Sequence, residues 1–316
     1  MEHRDELVAS RGQQILQQVR RVIVGKDHVL TWVLATILAK GHILMEDIPG
    51  VGKTTMALAF SKTLQLECNR VQFTPDVLPS DVTGYSVLDQ QTGQLRYQSG
   101  AVLCNLFLAD ELNRATSRTQ SALLEAMEEG QVTVDGVTYP VPQPFVVIAT
   151  QNPTGAAGTQ LLPDSQMDRF MVRLSLGYPS AQDEMAMILG RQKGNPLLDL
   201  QPLMNREELQ QLQQLVEQTH ISDEVVSYAV SLVQATRQDP MILQGASPRA
   251  TLAVIALSKS LARLRRRDYV LPTDVQEVLV QVLSHRLQLT PAAQAQGQTA
   301  EQILHRILSE VPQLKL

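Results

Sequence analysis

Short apolar runs that alternate with helical patterns are the feature that most constrains the fold of this chain. The runs 42-HILM-45 and 145-FVVIAT-150 are candidate buried strands, and a helical pattern such as 116-TSRTQSALLEAMEE-129 separates runs of this kind. Strands that alternate with helices form a parallel sheet covered on both faces. We therefore expect an α/β fold. Further strands are predicted at 70-RVQFT-74, 105-NLFLAD-110 and 170-FMVRL-174.

Two predicted hairpins, at 84–100 and 131–142, interrupt this rhythm. In the second, alternating valines flank Asp135-Gly136, which is a strong signal for a two-residue hairpin turn. In the first, alternating stretches flank Thr92-Gly93, which is a weaker signal. Because neither hairpin is needed to complete the sheet, each is either a functional insertion or a plain surface flap.

The character of the sequence changes near residue 178. Beyond it the strand signals nearly vanish, and apolar stripes at helical spacing follow pairs that fit the capping-box pattern. We therefore place an α/β domain at 1–178 and a helical domain at 179–316. The predicted capping boxes are Asn205 with Glu208, Thr273 with Gln276 and Thr299 with Gln302.

The stretch 47-DIPGVGKT-54 matches the second half of a phosphate-binding loop but carries Asp47 where the general pattern has glycine. The triplet Gly52-Lys53-Thr54 is weak alone, but it follows a predicted strand and opens a predicted helix over 53–64, which points N–H groups at an anion. Lys53 is expected to reach the β- and γ-phosphates, and the Thr54 hydroxyl to bind Mg²⁺. Asp47 is expected to point away from the nucleotide or to cap the turn.

Two other predicted strands end in polar side chains. The run 106-LFLADE-111 ends in Asp110 and Glu111, which are costly at the end of a buried strand unless their charge is used. Asp110 is expected to hold the Mg²⁺ shell and Glu111 to deprotonate the attacking water, although a solvated turn explains such a pair when it is seen alone. The run 145-FVVIATQNP-153 ends in Gln151-Asn152. An amide here would contact the γ-phosphate or the attacking water, or else the segment simply forms an Asn-Pro turn.

Two arginines are candidates for contacts to phosphate. Arg169 lies just before the last predicted strand, and phosphoryl transfer gains from a cation that a neighbouring subunit often supplies. Arg249 follows Ser247 and Pro248, a good N-cap and a good first helical residue, so it would reach phosphates across a cleft from the second domain. Taken alone, a surface salt bridge is the commoner explanation for each arginine.

Composition narrows the class of protein further. A net charge of −5 argues against a dedicated DNA binder, and two cysteines without CxxC spacing argue against a zinc site or disulfide framework. The polar start 1-MEHRDELVAS-10 is unlike a signal peptide. No apolar run reaches the roughly 18 residues of a membrane span. We expect a soluble, cytoplasmic protein.

In their order along the chain, these motifs resemble those of an AAA+ ATPase, and specifically the MoxR group of the helix-2-insert branch. The resemblance runs from about residue 15 to residue 310, and an Asp at position 47 is what that group shows. Departures are Leu112, where Ile is usual, and Thr116-Ser117, where the group tends to carry Pro. The segments that carry the resemblance are 46-EDIPGVGKT-54, 108-LADELNRA-115, 119-TQSALLEAMEEGQVTVDG-136, 149-ATQNP-153, 162-LPDSQMDRF-170 and 245-GASPRA-250.

The resemblance implies an αβα P-loop core with a parallel sheet over 1–178 and a smaller, all-helical lid over 179–316, with ATP between them. It makes Lys53 and Thr54 the Walker A residues and gives Arg114 a role across the subunit interface. The implied catalytic residues are Glu111 (Walker B), Asn152 (sensor 1) and Arg169 (arginine finger). The implied metal ligands are Thr54 and Asp110 (Walker B). The implied nucleotide contacts are Val24, Gly25, Pro49, Gly50, Val51, Gly52, Lys53, Thr54, Thr55 and Arg249 (sensor 2).

The resemblance further implies Mg²⁺-dependent ATP hydrolysis that drives chaperone-like remodelling or maturation of other proteins, including metal insertion. The implied assembly is a hexameric ring with a partner that carries a von Willebrand factor A domain. A DNA-acting motor of the same branch is the main alternative. A GTPase is a weaker alternative, because the sequence contains no NKxD motif to recognise guanine. A nucleotide-binding scaffold without hydrolysis would require the loss of catalytic residues, whereas the set of catalytic residues in this sequence is complete.

Overall fold

The computed structural model of the chain describes residues 2–48, 50–152, 162–192 and 194–314. A 3-10 turn, Leu112–Arg114, follows the strand that carries Asp110. The elements up to the last strand of the main sheet are α1 (Glu2–Arg20), α2 (Asp27–Leu38), β1 (Ile43–Glu46), α3 (Lys53–Thr63), β2 (Cys68–Gln72), α4 (Pro79–Thr83), β3 (Gly84–Leu88), β4 (Leu95–Ser99), β5 (Leu106–Asp110), α5 (Ser117–Glu129), β6 (Gln131–Val134), β7 (Val137–Pro140), β8 (Val146–Gln151), α6 (Asp164–Met167) and β9 (Val172–Leu174).

The remaining elements are mostly helices, joined by one short antiparallel pair of strands. The predicted boundary near residue 178 falls between β9 and the next helix, and one hydrophobic core continues across it. These elements are α7 (Ala181–Gln192), α8 (Arg206–Glu217), α9 (Asp223–Gln238), β10 (Ile242–Gln244), α10 (Pro248–Leu264), α11 (Pro272–Leu283), β11 (Gln288–Leu289), α12 (Pro291–Ala295) and α13 (Ala300–Glu310).

The main sheet confirms the α/β prediction. Its strand order is β2-β5-β8-β1-β9, and every neighbouring pair is parallel. Side chains alternate between its faces, so Leu108 and Ile148 pack with α1, α2 and α3, whereas Phe107 and Val147 pack with α5. The sheet is therefore buried on both sides, and the C-terminal ends of its strands lie along one edge.

Both inserted hairpins form, but their turns differ. Asp135 and Gly136 have φ of 51° and 78°, which is the two-residue turn that the sequence predicts. In the first hairpin the connection spans 89–94, because the Asp89 carboxylate accepts hydrogen bonds from the backbone N–H groups of Gln91 and Thr92. Thr92-Gly93 thus lies inside a larger loop instead of forming the whole turn.

A ring contact joins the two hairpins to each other. Tyr97 of β4 and Tyr139 of β7 are stacked with centroids 3.8 Å apart and planes inclined by 11°. The Tyr97 hydroxyl also donates to the carbonyl of Thr83, at the end of α4. The hairpins therefore form one connected unit at the surface of the core.

The lid helices pack against the start of the chain. The Ser260 hydroxyl donates to the carbonyl of Ala35, and the Gln213 amide donates to that of Ile37, each at 2.8 Å and each buried. Buried polar bonds of this kind fix the lid bundle against α2. Helix α7 is different, because it contains no buried residue. Among the described residues, no helix is long and apolar enough to cross a membrane.

Helix starts in the lid test the capping predictions. The boxes at Asn205 with Glu208 and at Thr299 with Gln302 are present. The box at Thr273 with Gln276 is wrong, because α11 begins at Pro272 and the Asp274 carboxylate accepts from the backbone N–H of Leu271 at 2.8 Å. Proline at the first helical position and an acid two residues later set that start.

Candidate active site

The loop between β1 and α3 has the conformation of a phosphate cradle. Gly50 and Gly52 have φ of 87° and 100°, a region that favours glycine, and Gly52 leads directly into α3. The Lys53 ammonium folds back over the loop and donates to the carbonyls of Asp47 at 2.8 Å and Ile48 at 3.2 Å. The loop thus presents a cation and the N-terminal end of a helix to the same space. Pro49, also predicted to contact nucleotide, lies outside the described residues.

The charge of Lys53 is set by opposing effects. Partial burial lowers its pKa, whereas the negative charges of Asp47, Asp110 and Glu111 raise it. Burial is the largest effect, so the pKa of Lys53 lies below its usual value, and the carboxylates limit that shift.

Asp110 and Glu111 lie at the end of β5, as predicted, and Thr150 of β8 holds both. The Thr150 hydroxyl donates to Asp110 Oδ1 at 2.6 Å and accepts from the backbone N–H of Glu111 at 2.9 Å. Glu111 has φ of 54°, a rare conformation for a non-glycine residue and one that is often found at functional sites. Its carboxylate pairs with Arg114 of the same chain at 2.8 Å.

Arg70 is a member of this site that sequence reasoning missed. It projects from β2, and its guanidinium donates to Asp110 Oδ2 at 2.8 Å. Asp110 thus has a cationic partner on one oxygen and the Thr150 hydroxyl on the other. A charged residue inside the run 70-RVQFT-74, which otherwise reads as a strand, was the available signal.

One cavity of about 280 Å³ gathers the residues of three separate motifs. They come from the loop after β1, the end of β5 and the end of β8, which lie together because parallel strands end at the same edge. The residues that line it are Asp47, Gly50, Gly52, Lys53, Thr54, Thr55, Arg70, Asp110, Glu111, Thr150, Gln151 and Asn152.

A second cavity, of about 190 Å³, adjoins the first through Gly50, Gly52 and Thr55. Val24 and Val51 line it on the core side, and Met187, Gly190 and Arg191 of α7 line it opposite. Its lining is more apolar than that of the first cavity, which suits a nucleobase beside a phosphate site.

Gly25, predicted beside the base, packs closely against α7. Its φ is 73°, and a Cβ at this position would lie 2.2 Å from the Asp183 carboxylate. Position 25 therefore requires glycine both for its backbone conformation and for the space that Asp183 occupies.

The donor set fits Mg²⁺ bound together with a nucleotide. Within the described residues, no cluster of three or more His, Cys, Asp or Glu side chains could hold a metal alone. Mg²⁺ at phosphate sites takes one or two protein oxygens, and the phosphates and water supply the rest. Thr54 and Asp110, which line the same cavity, meet that requirement.

Arg169 and Arg249 lie together, but away from this cavity. Both pair with Glu128 at the end of α5, with 2.9 Å between Arg169 Nε and Glu128 Oε2. Burial would raise the pKa of Glu128, but the two arginines outweigh it and lower that pKa. The arginines line a separate cavity of about 350 Å³ with Asp168 and Arg286. Their contacts to phosphate remain predictions, and neither arginine lines the Lys53 cavity of its own chain.

The fold and the two adjoining cavities define a P-loop nucleotide-binding protein, and comparisons with known proteins agree. Residues 42–172 match the ATPase family associated with various cellular activities (AAA), and residues 234–307 match the AAA lid domain. The chain is 36% identical to a proposed ATPase from Cytophaga hutchinsonii whose crystal structure superimposes with a TM-score of 0.92, covering 99% of this chain and 98% of that one.

Two relatives that match over most of their length indicate which group of AAA ATPases the chain belongs to. An uncharacterised Bacillus subtilis protein, YeaC, is 43% identical over 98% of this chain and 97% of its own length. Chaperone MoxR1 of Mycobacterium tuberculosis is 39% identical over 95% of this chain and 81% of its own length. The chain therefore belongs to the MoxR group of AAA+ ATPases, and its activity is ATP hydrolysis.

Proposed function

We propose that this chain uses Mg²⁺-dependent ATP hydrolysis to remodel or mature partner proteins, and that it does so as a hexameric ring. The observation that carries the proposal is the single cavity in which Lys53, Thr54, Asp110 and Glu111 meet. The relative named as a chaperone, MoxR1, supports the class of work that hydrolysis drives.

Six residues of the cavity have named roles in this proposal. Lys53 and the loop N–H groups hold the β- and γ-phosphates, and Thr54 and Asp110 hold Mg²⁺, which neutralises charge that develops on the phosphates. Glu111 takes the proton of the attacking water, and Asn152 orients that water or the γ-phosphate. Thr150 keeps both carboxylates in place through its hydroxyl.

The ring supplies what the cavity lacks. Arg169 and Arg249 are held by Glu128 on a different surface, from which they serve the site of a neighbouring copy. A cation brought to the transition state by another subunit is a recurrent device in phosphoryl transfer. Arg114 forms an ion pair with Glu111 of its own chain, and this pair is expected to persist until Arg114 contacts a neighbouring subunit.

The partners belong to the same proposal: a protein with a von Willebrand factor A domain and a client protein, with metal insertion as one form of maturation. The DNA-acting alternative is not favoured. In the basic run 263-RLRRRD-268, Arg265 and Arg267 pair with the buried carboxylate of Asp274, and Arg265 also pairs with Glu277. Arginines paired in this way offer little free charge to a phosphate backbone.

Glu111→Gln tests the assigned chemistry. Turnover of ATP should fall by about a hundredfold or more, because the variant keeps the shape of the side chain but cannot accept the proton. Affinity for ATP, measured by calorimetry, should stay close to that of the wild type. The matched control is Glu125→Gln on the exposed side of α5, which should retain turnover. Wild-type turnover in Glu111→Gln would refute the assigned base.

Oligomeric state tests the ring. Light scattering of Glu111→Gln with saturating ATP should give the mass of a hexamer, since the trapped nucleotide holds neighbouring arginines in place. A mass that remains that of one chain over the concentration range of ATP turnover would contradict the ring.

A further inference from the structure

The Asp47 side chain is directed away from the phosphate cavity and into the linker that leads to the lid. It is only 4% exposed. One carboxylate oxygen accepts from the Ser175 hydroxyl at 2.6 Å and from the backbone N–H of Gly177 at 2.9 Å. The other oxygen accepts from the backbone N–H of Leu176 at 2.7 Å. A buried carboxylate that receives such bonds is held in one orientation, as is the segment that donates them.

The backbone of the same residue belongs to the nucleotide site. The Asp47 carbonyl accepts from Lys53 Nζ at 2.8 Å, while its side chain holds 175–177. A glycine at this position would keep the carbonyl for Lys53 but would supply nothing to the linker. The Asp47 carboxylate therefore contributes only its negative charge to the phosphate loop, near Lys53, whereas its hydrogen bonds go to the linker.

The linker continues into α7, which covers the apolar cavity beside the phosphate site. No residue of α7 is buried, so packing beneath it contributes little to its position. The contacts that position it are the close approach of Gly25 to Asp183 in its first turn and hydrogen bonds at its two ends. Before the helix, Lys26 donates to the carbonyl of Tyr178 at 2.8 Å, and after it, Lys62 donates to that of Leu197 at 3.1 Å.

We propose that Asp47 is a positioning residue that fixes the linker 175–177 and thereby holds α7 over the nucleobase. This inference rests on the proposed binding of ATP across the two adjoining cavities. The carboxylate acts on the nucleoside end of the ligand, through the linker and α7, and leaves phosphate binding to Lys53 and the loop. The aspartate that replaces glycine in this phosphate-binding loop thus ties the loop to the helix that closes the base cavity.

Two probes separate these ends of the ligand: ADP and inorganic tripolyphosphate. In Asp47→Gly, the dissociation constant of ADP should rise by roughly tenfold, because several hydrogen bonds to a charged group are lost at the linker. The dissociation constant of tripolyphosphate should not rise by more than about twofold, because this probe has no base for α7 to cover and the loss of the Asp47 charge does not disfavour an anion. Unchanged ADP binding, or equal weakening of both probes, would overturn the proposal.

Two further variants keep the test meaningful if Asp47→Gly folds poorly. Asp47→Asn preserves the shape but replaces one acceptor oxygen by an amide, and it should weaken ADP binding in the same selective way. Ser175→Ala removes one donor and should have a smaller effect that does not add to that of Asp47→Asn, since both act on one contact. Additive effects would show that Ser175 and Asp47 act separately, and would contradict the proposal that Asp47 fixes the linker through Ser175.

The matched control is Asp274→Asn, which removes a buried carboxylate that also accepts from a backbone N–H, but within the lid. It should lower thermal stability and leave the ratio of the two dissociation constants unchanged. Hydrogen exchange of 178–192 gives a readout without ligand: it should quicken in Asp47→Gly and not in Asp274→Asn.

These measurements concern binding, so they remain valid if hydrolysis fails. A wild type that binds ADP selectively over tripolyphosphate but does not turn over ATP would refute the proposed function. The role of Asp47 in positioning α7 could still be tested by the same binding measurements. A wild type that binds no ADP would overturn both.

Discussion

The phosphate cavity and the Glu128 region place their charged groups in opposite ways. At the phosphate cavity, Lys53, Asp110 and Glu111 converge on one space inside a single chain. At Glu128, two arginines converge on a carboxylate that is about one-third exposed. The first region gathers its charged groups within one chain, whereas the arginines of the second line a different cavity from Lys53. A ring of identical chains would bring the two regions together.

The largest effect expected from this comparison is that of Arg169→Ala. Turnover of ATP should fall about a thousandfold, since a finger arginine acts on the charge of the transition state. The affinity for ADP should stay close to that of the wild type. Mixing this variant with Glu111→Gln should restore part of the turnover, because a mixed ring contains sites with an intact Glu111 facing an intact Arg169.

The control for the mixing experiment is a pair of variants that damage the same cavity. Lys53→Ala mixed with Glu111→Gln should recover nothing, because every cavity in that mixture carries one lesion. If Arg169→Ala and Glu111→Gln also fail to complement while forming rings, the two regions do not meet between subunits.

A smaller effect should come from acid, and it concerns the Glu128 side of the molecule. Burial lowers the pKa of His42 to about 4, although the hydrogen bond with the Met127 carbonyl opposes the shift. A histidine whose pKa is lower in the folded state stabilises the fold above its unfolded pKa and loses that contribution as the pH falls. When the pH falls from 7.5 to 5, the free energy of unfolding should therefore decrease by about 2 kcal/mol because of His42.

Urea unfolding of the wild type and His42→Gln at both pH values measures this loss. The variant should lose less stability on acidification, whereas a change at the exposed His305, His305→Gln, should leave the pH dependence as it is. His285 is also buried with a lowered pKa, so some acid sensitivity should persist in His42→Gln. Identical pH dependence in His42→Gln and the wild type would exclude His42 as its source.

The smallest effect expected is that of Glu128→Gln. Its pairs with Arg169 and Arg249 are partly exposed, so the free energy of unfolding should change by less than about 1 kcal/mol. At limiting chain concentration, turnover should rise by about twofold, because the arginines no longer have to leave a carboxylate. A large fall in turnover would mean that Glu128 takes part in the site of the neighbouring chain.

Local patterns predicted the parts of the site that depend on local structure. The strand and helix that flank the phosphate loop placed Lys53, and the apolar run before Asp110 placed the carboxylates, because strand ends and helix starts follow from neighbouring residues. The start of α10 was equally predictable, since the Ser247 hydroxyl caps it and Pro248 follows. The direction in which Arg249 points was not predictable, because it depends on how the lid packs against α1 and α2.

The contacts that the sequence did not predict join residues far apart along the chain. The contact between Asp47 and Ser175 joins residues 128 positions apart, and that between Arg70 and Asp110 joins neighbouring strands separated by 40 positions. No periodicity in the sequence encodes such pairs. Thr273 was misassigned for a different reason, because two start signals overlapped and the one with proline at its first position prevailed.

The stacked rings of Tyr97 and Tyr139 have a mechanical consequence. Because the planes are nearly parallel at 3.8 Å, a displacement of one hairpin would disturb its contact with the other, so the two hairpins are expected to move together. Each hairpin is attached to a helix: β3 follows α4 directly, and β6 follows the C-terminal end of α5. Since α5 starts just after the turn that follows Glu111, a displacement of β6 would reach Glu111 through a single helix.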